Sequence, residues 1–438
     1  MNQKDFVYQL MQKNIIKYGD FTLKSGQKSN IYFDLRTLIA HPLILNHILD
    51  TLFEKYIKNL TFKHICGLAY TGIPMASGIS LKYNIPMLMV RKERKEYGTK
   101  KLIEGLYNTY DMCLIIDDVI TTGSSLIENI KILKKEGLVI HNIVVILDRR
   151  PVNERGDIEG VEVHSLFKLE DLEIDIKLYK KLYDRFITGS LSHKLATIMY
   201  HKETNLVLSA DVTTSKELLE LADLAGPYIC MIKTHIDIVQ DFDQNLINKL
   251  LDLSKKHKFM IMEDKKFADI GNTVYHQYTG GIYKIIDWAD FVTVHSVMGY
   301  NTFQSIDKAI KERYLNGKRG VFILAGASSD GNLINNGYSV NTLQIALRLL
   351  HNDTDLISGF IAQENIKGFN EFFYATPGVN IENKNDGQGQ TYNTPETVVK
   401  KGSDLIIVGR GIYNAYDKSS AIKEYQQRGW KALIESYL

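Results

Sequence analysis

The run Leu114-Ile115-Ile116-Asp117-Asp118-Val119-Ile120-Thr121-Thr122-Gly123-Ser124-Ser125 leads an apolar stretch into two carboxylates and then into small hydroxyl and glycine residues. A helical pattern follows at Leu126–Lys135. Strand, turn and helix in that order gather backbone N–H groups and hydroxyls at a helix N-terminus, where an anionic phosphate binds well. The paired aspartates suit ribose hydroxyls or a hydrated Mg2+. An acidic turn with an N-capping Thr or Ser explains an isolated Asp-Asp; the whole run in order favours a phosphate site.

A second constellation lies further on, at the ends of three apolar runs. They read Leu208-Ser209-Ala210-Asp211, Ile232-Lys233-Thr234-His235 and Glu263-Asp264-Lys265-Lys266. In extended chain, residues two apart face the same side. Ser209 with Asp211, Lys233 with His235, and Asp264 with Lys266 therefore project together. Asp269 follows in Phe267-Ala268-Asp269-Ile270-Gly271-Asn272-Thr273. One Lys–Asp pair would be an ordinary ion pair tying strand ends together. Four alternating charges aimed at one spot suggest a site.

These residues need elements to hold them. From Thr61 to Ser165 apolar runs alternate with helical patterns: Lys63–Ala69, Ile85–Val90, Met112–Asp117, Asn142–Asp148 and Glu162–Leu166. That alternation predicts an α/β unit with a mostly parallel sheet. From Asn205 it restarts with eight candidate strands: Asn205–Ser209, Tyr228–Lys233, Lys258–Asp264, Asp290–His295, Gly320–Ala325, Leu356–Ala362, Phe372–Thr376 and Asp404–Gly409. Strand–helix units in that number predict a (β/α)8 TIM barrel, with the polar strand ends on its active face. Charged, leucine-rich Leu169–Ser192 reads as a terminal helix, a linker helix or both. The expected domains are 1–168 and 193–438, joined by 169–192. Asn383–Thr394 reads as one long loop.

Composition sets bounds. A chain of 438 residues suggests two or three domains, and a formal charge of +2 gives no global basic field for nucleic acid or membrane. Cys66, Cys113 and Cys230 lie in apolar runs without metal-ligand spacing. They read as buried core residues in a reducing compartment. No signal peptide and no apolar run long enough for a membrane span is visible, so a cytoplasmic location is expected.

The first run resembles the phosphoribosyl-pyrophosphate motif of type I phosphoribosyltransferases. Leu23-Lys24-Ser25-Gly26 with Ile31-Tyr32-Phe33-Asp34, Tyr70-Thr71-Gly72-Ile73-Pro74, Arg91-Lys92-Glu93-Arg94-Lys95-Glu96-Tyr97-Gly98 and Asp148-Arg149 narrow the likeness to orotate phosphoribosyltransferase. The resemblance implies that Lys24, Tyr32, Phe33 and Arg149 face orotate, and that Tyr70 and Thr71 belong to the pyrophosphate loop. Asp117, Asp118, Val119 and Ile120 lead into the 5'-phosphate cradle of Thr121, Thr122, Gly123, Ser124 and Ser125. Arg91 and Lys95 would reach the neighbouring subunit's site while Lys92 serves its own. Such cations and a Mg2+ carried mainly by the pyrophosphate, near Asp117 and Asp118, would offset the charge of the leaving group. Tyr97 stands where many bacterial members have His.

The segment Asp264-x-Lys266-Phe267-Ala268-Asp269-Ile270-Gly271-Asn272-Thr273, with Ser209-Ala210-Asp211 and Lys233-Thr234-His235, resembles orotidine 5'-monophosphate decarboxylase. Together the two halves resemble the bifunctional UMP synthase family. Loss of CO2 from C6 of a pyrimidine leaves an in-plane anion with no conjugated sink. The resemblance implies that Lys266 stabilises that anion and then protonates it, without a cofactor. Asp264 and Asp269 flank it, each carboxylate at ~4 Å being worth on the order of 4 kcal/mol at an effective dielectric of 20, and Lys233 completes the network. The family takes the second aspartate from a partner subunit, which implies a homodimer with shared sites. Ser209, Asp211, His235, Ile270, Thr273, Ser328 and Pro377 would contact substrate. Gln390, Tyr392, Gly409 and Arg410 would grip its phosphate. Departures stand at Thr293-Val294-His295, where most members read Asn-Ala-His, in the loop Ser296–Thr302, and at Gly326-Ala327 before the paired serines. They bear on loop packing and substrate affinity more than on the charge network.

The expected substrates and products are orotate, phosphoribosyl pyrophosphate, orotidine 5'-monophosphate and UMP. The alternative is a decarboxylase whose front half only binds ligand or dimerises.

Overall fold

The computed structural model describes residues 3–22, 26, 28–91, 102–315, 317–329, 332–334, 336–351, 355–365, 370–381 and 393–437. The chain divides into two compact units, Met1–Ile176 and Lys177–Leu438.

The front unit is built on a six-stranded sheet. Its order is Ile103–Glu104, Met87–Val90, His64–Gly67, Cys113–Ile120, Asn142–Asp148 and Glu162–Lys168. All neighbours are parallel except the first pair. Both faces are covered, as a parallel sheet requires. Ile44, Ile48 and Leu52 of helix Pro42–Lys55 and Met75, Ala76 and Ile79 of helix Gly72–Tyr83 pack into one core. Leu126, Ile130 and Leu133 of helix Ser124–Lys135 pack into the other. Cys66 and Cys113 are free and buried in this unit. Two features lie outside the sequence reading: the edge strand Ile103–Glu104, and an antiparallel hairpin of Ile16–Thr22 with Lys28–Phe33.

The second unit is a closed barrel of eight parallel strands in chain order. They are Leu206–Ala210, Met231–Thr234, Met260–Phe267, Phe291–His295, Gly320–Leu324, Ile357–Ile361, Phe373–Thr376 and Leu405–Val408. Every expected strand is present, with ends shifted by a few residues. Caps fix the helices between them. Thr214 caps helix Ser215–Ala225 by accepting from the Glu217 N–H, and its hydroxyl donates to the Glu217 carboxylate at 2.9 Å. Asp243 caps Gln244–His257 by accepting from the Leu246 N–H at 2.8 Å. Below the eighth strand, Asp404 accepts from the Tyr374 N–H and pairs with buried Arg185 at 2.8 Å.

The stretch Leu169–Ser192 contains helix Leu169–Tyr183, which runs across the division between units. A turn then leads to Ser190, which caps helix Leu191–Lys202. No helix among the described residues is long and apolar enough to cross a membrane.

Candidate active sites

At the C-terminal mouth of the barrel the polar strand ends converge on a cavity of ≈ 440 Å3. The first three strands contribute Ser209, Asp211, Lys233, His235, Asp264 and Lys266 to its wall. Lys233 donates to Asp264 Oδ2 at 2.7 Å, and the Lys266 ammonium lies 2.8 Å from the same oxygen. His235 Nε2 stands 3.2 Å from it, and Asp211 Oδ1 lies 3.6 Å from Lys233. Lys233 is 6% exposed and Asp264 8%, while Lys266 is open to the cavity. Burial pushes the Asp264 carboxyl upward. Lys233, His235 and Lys266 outweigh it and hold the group well below the usual carboxylate range. Burial pulls the Lys233 ammonium down, but Asp264 and Asp211 raise it above its ordinary value. The opposed charges thus keep one another ionised.

The strand behind this row is not regular. Asp264 and Lys266 do face the cavity together, as alternation predicts, and Lys265 turns away to pair with Asp237 at 2.7 Å. Yet Glu263 pairs with Val292 and the next pairing joins Phe267 to Val294, so the third strand uses two residues more than the fourth. Lys266 takes a left-handed backbone there, with φ +51°. Thr293 spans the bulge. It accepts from the Lys266 N–H at 2.9 Å and donates to Asp264 Oδ1 at 2.7 Å. The departure at Thr293 therefore lies inside the charge network, contrary to the sequence expectation. Its signals were the departure itself and a polar residue within a mostly apolar strand, and its partner depends on interstrand register.

Glu263, on the opposite face and fully buried, holds the end of the second strand. It accepts from the Thr234 hydroxyl at 2.7 Å and from the Ile236 N–H at 3.1 Å. Burial pushes its carboxyl up to about 8.

Ser328, Pro377, Gly409 and Arg410 line the rest of the cavity, joined by Tyr413, which sequence reasoning missed. Tyr413 stands three residues after Arg410 on one short helical turn, a spacing that puts both on one face. Asp269, Ile270 and Thr273 do not line it. The Asp269 carboxylate accepts from the Ile270 N–H at 2.7 Å, and Ile270 is 62% exposed. Gln390 and Tyr392 lie outside the described residues.

In the front unit, strand Cys113–Ile120 delivers Asp117 and Asp118, and Thr121 to Gly123 turn into helix Ser124–Lys135. Gly123 has φ +77°, and the Thr122 and Ser124 hydroxyls are 2.8 Å apart. Thr121, Thr122, Ser124 and Ser125 are exposed, while Val119 is half-buried and Ile120 buried. Burial, then the adjacent Asp118, pushes the Asp117 carboxyl up to about 8. The loop with exposed Tyr70 and buried Thr71 crosses beside this strand. A Cβ on Gly72 would lie 2.4 Å from the Ile116 carbonyl oxygen, so only glycine permits the approach.

Arg149 donates to Ser29 Oγ at 3.1 Å and lies over the Phe33 ring, which ties the strand end to the hairpin. Tyr32 turns to the other face, where Arg36 donates to its hydroxyl and Phe21 packs against its ring. Asp148 is buried against Arg150 at 2.8 Å and braces that turn. Arg91 pairs with Glu104 at 2.5 Å. Lys24, Lys92, Lys95 and Tyr97 lie outside the described residues.

These two folds and sites define a phosphoribosyl transferase unit followed by an orotidine 5'-phosphate decarboxylase barrel. The family described as phosphoribosyl transferase domain matches residues 37–166, and the orotidine 5'-phosphate decarboxylase / HUMPS family matches 204–425. The chain is 38% identical to uridine 5'-monophosphate synthase of Bos taurus, over 95% of each. It is 34% identical to that of Naegleria gruberi, over 98% of this chain and 96% of the relative. Its back half is 46% identical to orotidine 5'-phosphate decarboxylase of Candida parapsilosis, over 58% of this chain and 96% of that one. The chain belongs to the uridine 5'-monophosphate synthase family.

Proposed function

We propose that this chain makes UMP in two steps of pyrimidine biosynthesis. Orotate and phosphoribosyl pyrophosphate give orotidine 5'-monophosphate and pyrophosphate in the front unit. The barrel then releases CO2 and leaves UMP. The observation that carries the reading is the row Lys233–Asp264–Lys266, paired at 2.7 and 2.8 Å in a cavity that also holds Arg410. Relatives matched over nearly the whole chain support both steps.

In the barrel, Arg410 offers a bidentate fork to the substrate phosphate, with Gly409, Gln390 and Tyr392. Ser328 and Pro377 border the base, and Ser209, Asp211 and His235 line the first two strand ends. When the C6–CO2 bond breaks, its electron pair stays on C6 beside the Lys266 ammonium. The anion then takes a proton from that nitrogen. Asp264 and Lys233 hold the ammonium in place. Asp269, Ile270 and Thr273 serve the partner subunit of a homodimer, which suits their place outside the lining of their own cavity.

In the front unit, Thr121 to Ser125 hold the 5'-phosphate and Arg149 meets orotate over Phe33. Lys24, Arg91, Lys92, Lys95 and Tyr97 supply the loop contacts, with Lys95 at the leaving group. The oxygen donors of Asp117 and Asp118 fit Mg2+, a hard cation that takes one or two carboxylates with substrate phosphates. When bound with pyrophosphate it would offset the leaving group's charge. The barrel step needs no cofactor. The buried free cysteines suit a reducing, cytoplasmic setting. No nucleic-acid or membrane partner is proposed.

The test supplies orotate, phosphoribosyl pyrophosphate and Mg2+ and follows UMP. UMP formation is the expected result. Decarboxylation of added orotidine monophosphate without orotate turnover would leave only the barrel reaction standing.

A further inference from the structure

We infer that Thr293 is a positioning residue for decarboxylation, its buried hydroxyl fixing both the bulge that carries Lys266 and the Asp264 carboxylate. The inference rests on the reading of Lys266 as the reacting cation. Where the third strand leaves register with the fourth, backbone groups lose their ladder partners. Lys266 lies in that gap with a left-handed backbone, a conformation that side-chain-bearing residues adopt at a cost. Something must hold it there. The Lys266 N–H finds its partner in Thr293 Oγ1, at 2.9 Å.

The same hydroxyl has a second task. A hydroxyl carries one proton and two acceptor lone pairs. An N–H on one side and a carboxylate on the other leave it a single orientation, with its proton on Asp264 Oδ1 at 2.7 Å. That bond stops the carboxylate from rotating, so Oδ2 stays on Lys233 and Lys266. Thr293 is well placed to do this. It is fully buried, and its backbone is in register with Phe322 of the fifth strand. One atom therefore ties the lysine's backbone to the lysine's counter-charge. It touches neither the cavity nor the ammonium, so it acts through its neighbours.

Substitutions in the full chain test this. Thr293→Val keeps the shape and removes both hydrogen bonds. Thr293→Ser keeps the hydroxyl, and Thr293→Asn supplies an acceptor and a donor. Steady-state decarboxylation is measured across pH, with circular dichroism and thermal unfolding of the same protein as a control for folding of the barrel. The Val variant is expected to lose about 10²-fold in kcat, as for a misplaced reacting group, and to show a displaced pH profile. Its KM should stay within about threefold, because binding contacts are untouched. Ser and Asn are expected to recover most of kcat. Thr293→Cys, a weak donor, should fall between Val and Ser and carries the test if Val does not fold. Wild-type kcat and pH profile in Val, or in Cys where Val fails, would overturn the proposal. So would equal losses in Val and Ser. A wild-type chain that leaves orotidine monophosphate unchanged would instead overturn the reading of the barrel site.

Discussion

Asp264 in the barrel and Asp117 in the front unit are both carboxylates near the C-terminal end of a parallel strand, yet their surroundings drive them in opposite directions. Asp264 is held well below its ordinary range because two lysines and a histidine outweigh its burial. Asp117 is pushed up to about 8 by burial and by the second carboxylate beside it. The barrel balances its charge within the protein before substrate arrives. The front site crowds two carboxyls together so that the first keeps its proton near neutral pH, and a cation arriving with the substrate would favour its release. A reaction that must steady an anion for an instant gains from the first arrangement. One that passes a metal-bound pyrophosphate gains from the second.

The contrast can be broken most severely at Lys266. Lys266→Ala is expected to lower decarboxylation by at least about 10³-fold, the scale of losing a preorganised charge, while orotidine monophosphate still forms. Retained decarboxylation would remove Lys266 from its role. Asparagine substitutions then set the two sites against each other. Asp264→Asn leaves buried Lys233 without its nearest counter-charge and should destabilise the barrel by up to about 3–5 kcal/mol in denaturant unfolding. A low-lying carboxyl contributes stability above its unfolded pKa and loses it as pH falls, so the deficit should shrink in acid.

Asp117→Asn should go the other way. A carboxyl raised to about 8 contributes stability below its unfolded pKa and loses it as pH rises through about 8. The variant should gain roughly 0.5–2 kcal/mol in mild alkali at the expense of the front reaction, a stability–activity exchange. Destabilisation in alkali would show that Asp117 has a cationic partner in the free protein. Mixing Lys266→Ala with Asp269→Ala chains should restore about a quarter of wild-type decarboxylation if sites are shared across a two-fold dimer. No recovery despite proven subunit exchange would count against sharing. The smallest effect belongs to Glu263→Gln. It keeps an acceptor for the Ile236 N–H and should flatten the stability loss expected between pH 4.5 and about 8.

Much of this was legible in the sequence because the strands are apolar runs that end in polar residues. All eight barrel strands and the five parallel front strands announce themselves that way. The hairpin does not, since Ile16–Thr22 interleaves Lys17, Gly19 and Asp20 with its apolar residues and is only partly covered. Alternation gave the facing of Asp264 and Lys266. It could not give the bulge between them, because register is a property of two strands and only one is read at a time. Thr293 stood out as a departure, but its tie to the charge network was hidden for that reason. Glu263 was hidden by its position, turned away from the cavity while anchoring a strand that lines it. Tyr32 and Phe33 show the converse, since neighbours in a strand point to opposite faces and one motif spans two environments.

The surplus in the third strand has a bearing on how such a chain can change length. Glu263 and Phe267 are already in register with the fourth strand, and the residues between them exceed what pairing requires. Loss of two residues there would leave a ladder that still closes, and a barrel without its reacting lysine. Lys266 is thus carried on chain length that the fold itself does not need. Deletions in this stretch should separate folding from chemistry more cleanly than deletions in any regular strand of the barrel.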